Sequence, residues 1–192
     1  MQLVLLCGVL AGAAQAQPAD VAASVSQSIA PTANAPRIGV VTMGPGDIFW
    51  ERFGHDALVV DDGPPGGPTS YNFGFFDLAE DGFIGRFVRG EMQYMLVALP
   101  LEEDLRYYRE VGRGATLQWL DLDPSQARTL AAALAENARP ENARYRYDYY
   151  TINCSTKVRD ALDLALDGAL ERATSHRSRG WSWRRYTRAL AR

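Results

Sequence analysis

The chain has 192 residues, 47% of them hydrophobic and 22% charged, with a formal net charge of −3; one folded domain of roughly 150 residues plus a leader fits these proportions. The absence of a long basic run argues against nucleic-acid binding as the main business, because neutralising phosphates needs a clustered positive surface. A four-ligand structural zinc site would have to use both cysteines and both histidines, at spacings that match no known finger, and nothing in the sequence calls for a cofactor.

Leu3 to Ala14 is apolar and is followed by Ala14-Gln15-Ala16, a small-x-small cleavage pattern. Residues 1–16 therefore read as a signal peptide, although no Lys or Arg precedes the apolar stretch. Residues 17–36, rich in Ala, Ser, Gln and Pro without an apolar period, read as a flexible lead-in. A single domain is expected over 37–192, exported to the periplasm or secreted. No later segment approaches the roughly twenty apolar residues of a membrane span. Cleavage at the expected site removes Cys7 and leaves Cys154 alone in an oxidising compartment, where an unpaired thiol has to be buried or used.

Ile38 to Met43 suits a buried strand, ended by Gly44-Pro45-Gly46. A short helix is expected over 48–53, stopped by Gly54. His55 to Val60 and Thr69 to Phe76 read as two strands of a hairpin with a long Gly/Pro loop. A short helix over 82–90 and a strand over 92–99 follow. Leu101 to Val111 is expected to be helical, with Leu101, Leu105 and Tyr108 on one face. Ala115 to Leu122 alternates as a strand does. Asp123, Pro124 and Gln126 open a helix with a capping-box start and an apolar stripe of Ala127, Leu130, Ala131 and Leu134, ended by Pro140. Tyr145 to Tyr150 is read as extended. Asn153-Cys154-Ser155-Thr156 opens a further helix with Val158, Ala161, Leu162, Ala165 and Leu166 inward, and a last amphipathic helix is expected from Trp181. The mixture is α+β.

Cys154 falls in the first turn of its helix, on the inward face. A cysteine there serves as a small core residue. It also feels the positive end of the helix dipole, which favours the thiolate, beside free N–H groups able to hold an oxyanion. A thiolate nucleophile needs a base. His55, at the start of a strand, is the better candidate; His176 lies in a polar run and reads as a surface residue. The imidazole needs an orienting partner. Asp56 is excluded because neighbouring strand residues face opposite sides; Asn72, on the paired strand, can accept from the ring N–H, with Tyr71 and Phe73 on the other face. Arg52 and Arg159 are either anion-holding or simply solvated.

Gly46-Asp47, Arg52-Phe53-Gly54-His55, Tyr71-Asn72-Phe73-Gly74-Phe75-Phe76-Asp77, Arg89-Gly90, Tyr94-Met95, Tyr145-Arg146-Tyr147-Asp148, Asn153-Cys154-Ser155-Thr156 and Arg159-Asp160 come in an order that resembles the Lnb N-terminal periplasmic domain family, over residues 38–167. The resemblance implies a circularly permuted papain-like thiol fold, similar to the NlpC-type and lecithin–retinol acyltransferase groups, in which the histidine strand precedes the cysteine helix. It further implies an acyltransferase that passes a fatty acyl chain to the amine of a lipoprotein's terminal cysteine, with phospholipid or lipoprotein as substrate. On that expectation Cys154 attacks an ester carbonyl and His55 relays the proton. Fold analogy equally covers cell-envelope cysteine peptidases and amidases, and an inert module that binds lipid or peptide. Trp181, Trp183, Tyr186 and Leu190, interleaved with Arg179, Arg184, Arg185 and Arg188, suit either an interfacial helix touching a membrane or a helix packed on the core with a wet basic face.

Overall fold

Six antiparallel strands form one sheet in the order β5-β1-β2-β3-β4-β6 in the computed structural model, which describes residues 35–48, 51–77, 79–177 and 180–190. The strands are β1 (Arg37–Met43), β2 (His55–Asp61), β3 (Thr69–Phe75), β4 (Gln93–Pro100), β5 (Ala115–Trp119) and β6 (Arg144–Arg146). The helices are α1 (Phe83–Arg89), α2 (Leu101–Glu110), α3 (Pro124–Asn137), α4 (Cys154–Ala165), α5 (Ala169–Thr174) and α6 (Trp183–Leu190). The chain is α+β, as expected. The signal peptide expected over 1–16 and the lead-in up to residue 34 lie outside the described residues, as does part of the helix expected over 48–53.

The two-residue period of the strands divides the core. Ile38, Leu58, Val60, Phe73 and Leu96 point to one face, where Ala127, Leu130 and Leu134 of α3 and Val158 and Ala165 of α4 close over them. Val41, Met43, Ala57 and Val59 point to the other, against Leu101 and Tyr108 of α2. The helices form where their stripes were expected. Gln126 accepts the N–H of Asp123 at 3.0 Å to open α3. α2 follows β4 without a loop, so Leu101 turns directly under the sheet.

Two expectations are corrected. β5 ends at Trp119 rather than continuing to Leu122. The segment after β6 is not extended to Tyr150: the Asp148 carboxylate accepts the N–H groups of Tyr150 and Thr151 at 3.0 and 2.8 Å. An aspartate that satisfies the backbone two and three residues ahead replaces strand pairing with a turn, and that turn delivers the chain to α4.

Candidate active site

The site lies where β2 begins. Gly54 precedes it with φ +72°, and a Cβ there would stand 2.6 Å from the Met43 carbonyl oxygen. Only glycine fits this approach, and the tight turn sets His55 opposite Met43 on β1. The loop before it is tied down: Gly46 and Gly54 both donate to the Glu51 carbonyl at 3.0 Å. Buried Arg113 donates to the Gly44 carbonyl at 2.9 Å and pairs with Glu51 at 3.4 Å. On β3 the ladder to β4 slips between Phe73 and Phe75. Gly74, in that slip, has φ +111°, and a Cβ there would come within 3.9 Å of both Cys154 Cβ and the His55 ring. The bulge thus brings bare backbone against the pair.

α4 supplies the thiol. Asn153 caps it: its Oδ1 accepts the Thr156 N–H at 3.0 Å, the Thr156 hydroxyl accepts the Asn153 N–H at 2.8 Å, and the Asn153 amide donates to the Tyr149 carbonyl at 2.9 Å. The cap leaves the N–H groups of Cys154 and Ser155 in the first turn, ahead of the intrahelical ladder. Asp56 fixes the helix to the sheet by accepting Ser155 Oγ–H at 2.6 Å and Thr42 Oγ1–H at 2.9 Å.

His55 joins the two sides. Its Nε2–H donates to Asn72 Oδ1 at 3.0 Å, which leaves Nδ1 for the thiol. The Asn72 amide nitrogen spends its two protons on Asp104 Oδ2 at 2.9 Å and Ser70 Oγ at 3.1 Å, and the Ser70 hydroxyl donates to Asp104 Oδ2 at 2.7 Å. Asp104, Asn72 and Ser70 are all buried. The carboxylate can only accept, so it forces the Asn72 amide to present its oxygen to the imidazole. A continuous chain runs from Asp104 through Asn72 and His55 to Cys154.

The ionisation follows from this chain. Burial alone would lower the His55 pKa, but the hydrogen bond and charge of Cys154, then the bond to Asn72 and the charge of Asp104, raise it above its ordinary value. Burial alone would raise the Cys154 thiol, but the hydrogen bond and charge of His55, the Asp56 backbone and Ser155 bring it below its ordinary value. The two shifts favour a thiolate–imidazolium pair. Burial pushes the nearby Tyr94 phenol up to about 12. Burial also raises Tyr145 and Tyr147, with the Cys154 charge adding to both. Phe83, Phe76, Tyr94 and Tyr147 stack in series, at 5.8, 4.9 and 4.1 Å, along one flank of the thiol.

The structure therefore brings Cys154, His55 and Asn72 together. Cys154 is a free cysteine, half-buried rather than sealed. His176 is exposed, and Asp56 points away from the imidazole, as strand alternation requires. Arg52 is exposed, and Arg159 pairs with its neighbour Asp160 at 2.6 Å. Sequence reasoning missed Asp104 and Ser70. A signal existed: Asp104 sits between Leu101, Leu105 and Tyr108 on the inward stripe of α2, where a carboxylate is out of place unless partnered. Among the described residues no group of three or more His, Cys, Asp or Glu side chains could hold a metal ion.

The profile of the Lnb N-terminal periplasmic domain matches residues 28–189. The chain belongs to this family. The match extends the resemblance seen in the sequence at both ends and takes in all of α6 but its last residue. It also assigns the chain a periplasmic domain type, in keeping with the export expected from its N-terminus. Comparisons with curated proteins and with solved structures found no match. Among the described residues no helix is long and apolar enough to cross a membrane.

Proposed function

We propose that this Lnb N-terminal domain is a cysteine-dependent acyl-transfer enzyme of permuted papain-like type, with Cys154 as nucleophile, His55 as base and Asn72 as orienter. One observation carries the reading: the half-buried thiol and the imidazole shift each other's ionisation, while the far ring nitrogen is held by an amide that buried Asp104 has locked in orientation. A cysteine serving only as packing has no use for such a chain.

In the proposed reaction the Cys154 thiolate adds to the carbonyl carbon of an ester. The carbonyl electrons move to oxygen, where the N–H groups of the first turn of α4 are positioned to meet the charge. Collapse of the intermediate expels the alkoxide, which takes the proton from His55 and leaves an acyl thioester and neutral imidazole. An amine or water then attacks the thioester while His55 accepts its proton, and the thiolate leaves. Asn72 keeps the Nε2 proton in place, so that Nδ1 alone trades protons with thiol, leaving group and acceptor.

Phospholipid and lipoprotein are the donor and acceptor that the family resemblance suggests. The test is mass spectrometry of the intact protein after incubation with phospholipid. Added mass equal to one acyl group, absent in Cys154→Ala and in His55→Ala, is expected. No adduct from phospholipid, but turnover of peptide or amide bonds that needs Cys154, would replace acyl transfer with the peptidase reading. Neither activity, with an ordinary thiol pKa, would leave a binding module.

A further inference from the structure

Residues 172–192 contain seven arginines and no aspartate or glutamate, in a chain whose net charge is −3. The positive charge is thus concentrated in one segment, and α6 carries three of these arginines. Arg184, Arg185 and Arg188 are all exposed, and Arg184 and Arg188 are one turn apart on the same side of the helix. They border a crevice of about 520 Å³ whose remaining walls are Trp181, Ser182 and Ala189. The Arg185 guanidinium lies 4.4 Å from the centre of the Trp181 ring.

The helix meets the fold through aromatic residues. Trp183 stacks on Tyr150 with ring centres 5.2 Å apart, and the Tyr150 hydroxyl bonds to Thr187 Oγ1 at 2.8 Å. Trp183 nevertheless keeps 55% of its surface exposed. From Tyr150 the ring contacts continue to Tyr149 at 5.1 Å and from Tyr149 to Phe53 at 5.5 Å, each of them partly exposed. Phe53 lies two residues before His55, and the Tyr149 carbonyl holds the cap of the Cys154 helix. An aromatic ridge therefore runs from the arginine helix to residues that flank His55 in sequence and cap the Cys154 helix.

We propose that α6 and this ridge form a docking surface for a bilayer containing anionic phospholipid. The arginines would meet lipid phosphates, and Trp183 and the tyrosines would sit at the level of the headgroups. The charge of the segment specifies an anionic partner. The exposed indole specifies more than a phosphate: an aromatic ring beside cations on one helix gains free energy where an apolar layer lies under a charged one. This goes beyond the acyl-transfer reading, because docking needs neither Cys154 nor His55.

Co-sedimentation of the full chain with vesicles tests the proposal. Retention is expected on vesicles of equal parts phosphatidylcholine and phosphatidylglycerol, little on phosphatidylcholine alone, and less on both as salt is raised. The triple substitution Arg184→Gln, Arg185→Gln, Arg188→Gln should weaken retention by up to roughly a hundredfold, at about fivefold per arginine near an anionic surface. Trp183→Ala should weaken it further at fixed salt, and Cys154→Ala should leave it unchanged. The salt dependence of the unaltered chain gives an answer that does not depend on any variant folding. Equal retention on both kinds of vesicle, retention indifferent to salt or to the triple substitution, or no retention at all overturns the proposal.

Discussion

The two faces of the sheet are built on different terms. Under α3 and α4 the buried cluster is apolar throughout: Ile38, Leu58 and Val60 of the strands meet Leu130 and Leu134 with almost no surface left in water. Under α2 the same strands carry Val41, Met43 and Val59, but the stripe of the helix is interrupted by Asp104, and Ser70 and Asn72 stand opposite it. The first face contributes burial free energy and little that is directional. The second gives up part of that burial to hold three polar side chains, with bonds that fix the rotation of one amide. Its net stability is small, since each such bond contributes only about 1 kcal/mol over its counterpart in water. What it confers is a fixed orientation at His55.

Substitutions on the two faces should therefore fail differently. The largest expected effect on stability is Leu130→Ala, on the apolar face. Leu130 is 1% exposed, and truncating a leucine so placed costs about 3 kcal/mol, the transfer term plus the cavity left behind. Chemical denaturation should show that loss, while the remaining folded protein keeps the wild-type alkylation rate at Cys154. An altered thiol rate in folded Leu130→Ala would mean that the apolar face also tunes the site. Gly54→Ala comes next and bears on the joint between the faces. It meets both a left-handed φ and a backbone oxygen at 2.6 Å, so a loss of about 2 kcal/mol is expected. Because His55 is the adjacent residue, here the thiol rate should fall as well.

How far the sequence reached follows the same division. The apolar face was legible almost residue by residue, since the stripe of α3 and the inward set of α4 are periodic patterns that burial itself imposes, and Ile38 to Met43 is the short apolar run of a buried strand. That Cys154, His55 and Asn72 would come together was legible from residue types, aided by the strand alternation that set Asp56 aside. Asp104 and Ser70 went unread, Asp104 despite its place on the inward stripe of α2. A carboxylate in the first turn of a helix beside Glu102 and Glu103 looks like a favourable charge at the dipole's positive end, and its burial depends on α2 turning under the sheet directly after β4, a tertiary fact. Gly74 was hidden for a similar reason: its need for φ +111° arises from the slip in the β3–β4 ladder. The turn at Asp148 was misread because the four tyrosines of residues 145–150 suggest a strand, while the aspartate's own bonds decide otherwise.

Asp104→Asn is a smaller perturbation that isolates the polar face. The substitution keeps shape and removes charge, so the stability change should stay near 1 kcal/mol. A purely structural role for Asp104 would end there. As a positioning residue it should do more, because its charge is among the influences that raise the imidazole and its oxygen orients Asn72. The His55 pKa, followed by NMR of the ring protons, should fall. Cys154→Ala should lower it further, since that variant removes the hydrogen bond and charge that do most to offset burial. An unchanged pKa in Asp104→Asn, with Asn72→Ala lowering it, would confine the orienting role to Asn72 alone.

The pH dependence of the thiol is the finest of these effects and joins both sides of the site. Cys154 is held below the ordinary thiol range, so its iodoacetamide rate should rise with pH and level off earlier than that of a free thiol. The falling limb of any acyl-transfer activity should come from His55: above its raised pKa the imidazolium is lost, and the leaving group has no proton to take. Turnover is therefore expected as a bell, with the low-pH limb belonging mainly to the thiol and the high-pH limb to the imidazole, though each limb is a property of the coupled pair. In His55→Ala burial is left as the largest influence on Cys154, with the weaker support of the Asp56 backbone and Ser155, so the alkylation profile should shift to higher pH. If His55→Ala leaves that profile where it was, the low thiol pKa owes nothing to the imidazole. The N-terminus of α4 and the Asp56 amide would then suffice to hold the thiolate, and the polar face under α2 would be steering a ring that does not reach the sulfur.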